Sequence, residues 1–180
     1  MEEIYDVIKR AKEGDEIAFK DLVLYTKNDL YKIAKSRLSN DEEIKDVLQD
    51  TMLKVFKNIK HLNNIESFKI WITKILINEC NRHYNHRKRN SEIIEKEKMY
   101  ISTNSLDSFT DDIGNAISFK NKLRKLRKNE QNIIILFYGC NFSCPEISKI
   151  LSMNENTVKS NLKRAKIKLK KMYLEGEKYE

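Results

Sequence analysis

The sequence predicts an all-α protein of two small helical domains joined by a flexible linker, the C-terminal one a helix-turn-helix. Three observations carry that reading. Leu, Ile, Lys and Glu are abundant in a chain of 180 residues that holds only four Gly and one Pro, so few positions interrupt a helix. Apolar residues recur at steps of three and four along most segments, and no alternating strand pattern persists. Between Ser91 and Phe119 the periodicity lapses, acids outnumber bases, and Ser, Thr, Asn and Asp cluster from Ser102 to Asp112. That stretch, 91–118, is expected to be an acidic, mobile tether between a domain at 1–90 and a second at 119–180.

In the first domain Ile4, Val7, Ile8 and Ala11 form a stripe that stops at Gly14, a natural helix end, and Asp15 is placed to cap the next helix. A long amphipathic segment then runs from Ala18 through Phe19, Leu22, Val23, Leu30, Ile33, Ala34 and Leu38, and Ser39-Asn40-Asp41 ends and recaps it. The third helix, from Asp41 to about Ile59, is expected to bury Ile44, Val47, Leu48, Thr51, Val55 and Phe56 and to turn Asp46, Gln49 and Asp50 outward. Acids in its N-terminal half suit the macrodipole. A polar break from His61 to Glu66 precedes a fourth helix, with Asn64 or Ser67 as its cap and Trp71, Ile72, Ile75 and Leu76 facing inward. Its far end, Asn78 to Arg89, mixes amides and bases with Tyr84, a combination that suits phosphate and unstacked bases.

In the second domain Leu123, Leu126 and the run Ile133 to Tyr138 lead into Gly139-Cys140-Asn141, where Gly139 and Asn141 suit left-handed backbone. Ser143-Cys144-Pro145-Glu146 is a capping box with Pro in the first turn. Ile147, Ile150 and Leu151 share one face of the helix that follows, and Ser152-Met153-Asn154 makes a short turn. Val158, Leu162, Ala165, Leu169 and Met172 form the buried stripe of a longer last helix. Between them stand Lys159, Lys163, Arg164, Lys166, Lys168, Lys170 and Lys171 with no acid, so the exposed face is expected to be uniformly positive and to suit DNA.

A formal charge of +8 fits a polyanionic partner. No apolar run is long enough to span a bilayer, and the acidic, amphipathic stretch Met1 to Arg10 is unlike an export signal, so no membrane insertion and a cytoplasmic location are expected. Three cysteines give no disulfide framework, and Cys140 and Cys144 lack the further ligands of a zinc site, which leaves two half-buried thiols. His83 and His86, set among Arg82, Arg87, Lys88 and Arg89, are expected on the surface and not on a metal. No phosphate loop, nucleophile elbow or paired catalytic set is present, so no enzyme, metal, cofactor or small-molecule substrate is expected.

Asp46-Val47-Leu48-Gln49-Asp50-Thr51, then Ser67-Phe68-Lys69-Ile70-Trp71-Ile72 with Asn78 downstream, then Glu146-Ile147-Ser148 followed by Thr157 to Ala165 stand in an order and spacing that resembles bacterial RNA polymerase sigma factors of the extracytoplasmic-function group, over almost the whole chain. The resemblance implies a factor that binds core RNA polymerase and promoter DNA and answers to an anti-sigma factor. By the same resemblance Asp46, Gln49 and Asp50 would meet the polymerase. His61, Leu62, Asn63, Asn64, Ile65 and Glu66, with Lys74, Asn78 and Arg82, would handle the −10 element, Asn78 lining the pocket for a flipped base. Asn156, Thr157, Lys159, Ser160, Lys163 and Arg164 would read the −35 element, with Lys166, Lys168, Lys170 and Lys171 on phosphates, on polymerase or simply solvated. Around Asn63 and Asn64 the basic residue and Gly common in the family are missing, and Asn156 stands where Gly is frequent, so a promoter sequence does not carry over. The alternative is a one-component helix-turn-helix regulator that acts without polymerase.

Overall fold

The computed structural model describes residues 2–38, 40–94, 119 and 121–176, and no strand occurs among them. The chain divides into two compact units after Ser105.

The first unit holds α1 (Glu2–Lys12), α2 (Glu16–Arg37), α3 (Asp41–Asn58) and α4 (Phe68–Ile94). Gly14 breaks the chain after α1 with φ +97°, a left-handed backbone in which any other side chain is strained. Asp15 then caps α2, its Oδ1 accepting from the Ile17 and Ala18 N–H groups at 2.9 and 3.0 Å. Asn40 does the same for α3, accepting from the Glu42 N–H at 2.9 Å. Each cap contributes about 1 kcal/mol by satisfying donors that the first turn leaves open. The core is built from Ile8, Leu22, Leu30, Ile44, Val47 and Leu76, all essentially without solvent contact, and full burial of each such side chain contributes about 1.5–3 kcal/mol.

Two expectations for this unit are corrected. Phe56 is not core: it is 55% exposed, with its ring edge-on to Phe19 at 5.1 Å. It lies about 100° around α3 from buried Val55, beyond the width of the buried stripe. Thr26 on α2 is buried instead, which its hydroxyl tolerates by donating to the Leu22 carbonyl at 2.8 Å. The fourth helix also runs on to Ile94, four residues into the segment expected as tether. The rest of that tether lies outside the described residues.

The second unit has helical residues at 121–124, then α5 (Lys128–Ile134), which continues as a single π turn (Ile135–Gly139), then α6 (Cys144–Leu151) and α7 (Glu155–Gly176). Only Asn141 of the two expected positions is left-handed, at φ 56°; Gly139 keeps ordinary backbone and ends the π turn. Ser152, at φ 53°, closes α6. Glu146 accepts from both the N–H and the hydroxyl of Ser143, at 2.8 and 2.6 Å, the expected capping partners. Asn154 caps α7 through the Asn156 N–H at 2.8 Å, so the turn between α6 and α7 is three residues long. Ile133, Leu136, Ile147, Val158 and Ala165 close the core.

Across that core buried Glu130 of α5 receives two hydrogen bonds from Lys168 of α7, at 2.7 and 2.9 Å, and one from the Arg127 N–H at 3.0 Å. Burial pushes the Glu130 carboxyl up, but the Lys168 and Arg127 bonds outweigh it and hold the group below its ordinary range. Lys168→Met should therefore destabilise this unit by about 1–3 kcal/mol, towards the lower end because Lys168 itself is partly solvated. A depressed carboxylate stabilises fully above its unfolded pKa and loses that contribution as pH falls through the folded value. The gap between wild type and Lys168→Met, read from hydrogen exchange of the α5 amides, is therefore wide at neutral pH and narrows below the ordinary carboxylate range.

Candidate nucleic-acid interface

On α3, Asp46 and Gln49 are exposed as expected. Asp50 is not simply outward. Its Oδ2 takes Arg82 Nη2 at 2.6 Å and lies 3.0 Å from His83 Nε2, both on α4. The His83 hydrogen bond holds the Asp50 carboxyl below its usual range against the opposing effect of partial burial, and the Arg82 charge adds to it. His83 is thus half-buried and paired, which corrects the expectation of a plain surface histidine. Arg82 also reaches Glu79 at 2.8 Å, and Glu79, only 2% exposed, takes Lys54 from α3 as well. This cluster clamps α3 to α4. Its buried member escaped the sequence reading, although Glu79 sits among apolar Leu76, Ile77 and Cys80, a setting where an acid needs partners.

Leu53 and Phe56 are also exposed, at 50% and 55%. By helical rotation they share the side of α3 that carries Asp46 and Gln49, so an acidic and amide row runs on into an apolar one. The sequence signal was the residue number alone, since Phe56 counts to the outer face.

The polar break is two short 3-10 turns, Ile59–His61 and Ile65–Ser67. His61, Asn63, Asn64 and Glu66 are exposed and Ile65 is half-buried. Leu62 is buried, at 5% exposure, so its side chain cannot face a base as expected; it anchors the loop instead. On α4, Lys74 and Asn78 are exposed, and with Arg82 they follow one another at steps of four on one face. Asn81 and Asn85 are exposed beside them, and Asn81 accepts from Arg37 at 3.2 Å.

In the second unit Asn156, Thr157, Lys159, Ser160, Lys163 and Arg164 are all exposed. At the helical rotation they occupy an arc of about 160° opposite the stripe of Val158, Leu162, Ala165 and Leu169. The uniform positive face is corrected in detail. Lys159 pairs with Glu155 at 2.6 Å, which raises the lysine's pKa. Arg164 donates to Asn161 at 3.1 Å. Lys166 lies over the Phe137 and Tyr138 rings, 5.5 and 5.3 Å from their centroids, and Lys168 is held by Glu130. Among the described residues no three His, Cys, Asp or Glu gather as for a metal ion, and no helix is long and apolar enough to cross a membrane.

Residues 22–90 match the family described as Sigma-70 region 2, and 117–169 match Sigma-70, region 4. The chain belongs to the sigma-70 family, in its extracytoplasmic-function group. It is 26% identical to the ECF RNA polymerase sigma factor SigW of Bacillus subtilis over 91% of this chain and 93% of that one. With the RNA polymerase sigma factor SigV of the same organism it shares 28% identity over 84% and 87% of the two chains. The fold is that of the sigma factor RpoE solved with the anti-sigma factor NepR from Bartonella quintana, with a TM-score of 0.72 at 24% identity over 86% of this chain and 96% of that one. It is likewise that of CnrH solved with the cytosolic domain of CnrY, with a TM-score of 0.68 at 20% identity over 94% and 96%. This sigma factor therefore directs promoter-specific transcription. Both sigma regions, in order, account for the two halves of the chain, which a stand-alone helix-turn-helix regulator does not.

The Glu79 cluster makes a graded prediction for this sigma factor. Lys54→Met or Arg82→Met alone leaves Glu79 one cation and should cost about 1 kcal/mol. The double variant strands a buried carboxylate and should cost about 3–5 kcal/mol, more than the sum of the singles. Urea unfolding followed by the fluorescence of Trp71, the sole tryptophan, reads the first unit directly.

Proposed function

We propose that this sigma factor docks on core polymerase through the outer side of α3, captures the −10 strand with the 61–66 loop and the Lys74–Asn78–Arg82 row, and reads the −35 duplex with the exposed arc of α7. The observation that carries this reading is the division of charge within one small unit. Asp46 and Gln49 continue into Leu53 and Phe56 on α3, while α4 presents bases and amides. An acidic row with an apolar extension suits a basic protein surface with an apolar centre, and repels DNA. A cationic, amide-rich row suits a single strand whose bases have been turned out.

Extruding a base costs a few kcal/mol, which hydrogen-bonding side chains such as Asn63, Asn64 and Asn78 would repay at a preformed site. On α7, Asn156, Thr157 and Ser160 lie in the first turns, where side chains of a recognition helix reach base edges. Arg164 is suited to a bidentate guanine contact and Lys159 and Lys163 to phosphates. The chain changes no covalent bond itself; it acts by binding, in the cytoplasm with the polymerase. The solved RpoE above carries the anti-sigma factor NepR, and an anti-sigma factor of this protein would cover the exposed Leu53 and Phe56 and so compete with polymerase.

Run-off transcription with purified core polymerase tests the proposal. Wild type should initiate from a selected set of fragments. Asp46→Ala with Gln49→Ala should lose core affinity at least tenfold and leave binding of −35 duplex unchanged. Arg164→Ala should do the reverse, costing about 1–3 kcal/mol at one base position. Loss of both activities together in a folded variant would contradict the assignment of separate surfaces.

A further inference from the structure

The loop at 61–66 is short and polar, yet it is fixed at both ends. At its far end Asn64 Oδ1 accepts from the Glu66 N–H at 2.9 Å, and Ser67 Oγ donates to the Asn64 carbonyl at 2.7 Å. At its near end Leu62 is buried, and its N–H donates to the Ile59 carbonyl at 3.0 Å. Its own carbonyl is taken by Lys12, the last residue of α1, whose half-buried ammonium donates to it at 2.6 Å across fifty residues of chain. The lysine comes from a well-fastened helix. Ile8 and Ala11 hold α1 in the core, and Arg10 pairs with Asp15, the residue that caps α2. With side chain, N–H and carbonyl of Leu62 all committed, the exposed Asn63 and Asn64 leave the core from a set position.

We propose that Lys12 is a positioning residue for promoter opening: by holding the Leu62 carbonyl it presets the loop that carries Asn63 and Asn64, so that capture of the melted strand does not first have to order it. The proposal rests on the reading of that loop as the −10 reader. A loop already in its bound geometry binds more tightly because less order is imposed at contact. A lysine is suited to this place, since a charged donor strengthens a hydrogen bond to a carbonyl while its stem covers apolar surface.

The test uses the full chain with core polymerase. Lys12→Met should speed hydrogen exchange at the 62–67 amides and leave the α2 and α3 core amides unchanged. In holoenzyme it should lower both the rate of opening and the affinity for a single-stranded −10 oligonucleotide about tenfold, with core affinity and −35 duplex binding unchanged, and Lys12→Arg should restore all of these. Lys12→Gln serves as the second variant if Lys12→Met does not fold. If Asn63→Ala with Asn64→Ala slows opening and the Lys12 variants do not, the positioning role is overturned while the loop reading stands. If none of these variants slows opening, the loop reading itself fails and the proposal falls with it. A Lys12→Met variant that loses core affinity and opening together would reveal a general loss of stability and overturn the proposal.

Discussion

Both units rest on the same interaction, a buried glutamate held by cations that also join two helices. In the first unit Glu79 of α4 takes Lys54 of α3 and Arg82 of its own helix. In the second Glu130 of α5 takes Lys168 of α7. A carboxylate at 2–3% exposure is costly unless such partners are in place, so each pair fixes the rotation and offset of the helices that carry it. The proposed docking and DNA-reading surfaces depend on that rotation. Turning α3 or α7 by one residue would bring buried positions outward and carry Asp46 or Arg164 round by about 100°.

The pairs also decide which of the many lysines are left for a partner. A chain with +8 net charge looks uniformly suited to DNA, but its cations have different tasks. Lys168 holds the fold, Lys166 covers two aromatic rings, and Lys12 holds a loop carbonyl. Asp50 faces two ways, since it stands in the row with Asp46 and Gln49 yet is occupied by Arg82 and His83. An incoming basic surface would have to share Asp50 with them or displace them, whereas Asp46 and Gln49 stand exposed on the same helix.

Much of this was legible in sequence because caps and periodicity are local. Asp15 and Asn40 announce helix starts by chemistry that acts over two or three residues, and each does cap in the structure, while Asn64 caps the 3-10 turn that leads into α4 and not α4 itself. The exposure of the six α7 residues was legible for the same reason, since a single helix rotation separates them from the stripe at Val158 to Leu169, whereas their assignment to the −35 element comes from the resemblance. What stayed hidden depends on contacts between distant residues. Glu79 with Lys54, Glu130 with Lys168 and Lys12 with Leu62 are separated by 25, 38 and 50 positions. No local pattern distinguishes such a lysine from a solvated one. Leu62 was misplaced by the same limit, since the resemblance alone suggests a DNA contact and only packing shows its burial. Phe56 was misplaced differently: residue type suggested core, although counting along α3 already sets it on the outer face.

On the proposed reading the cations of α7 divide into those that hold the fold and those that meet DNA. The salt dependence of binding to a −35 duplex measures this directly, because each phosphate contact adds about 0.9 to the slope of log affinity against log salt. Lys163→Ala should lower the slope by about one, whereas Lys168→Met, compared at a temperature where both variants are folded, should leave it unchanged. Equal losses of slope in the two variants would show that Lys168 faces the DNA after all and would contradict the account.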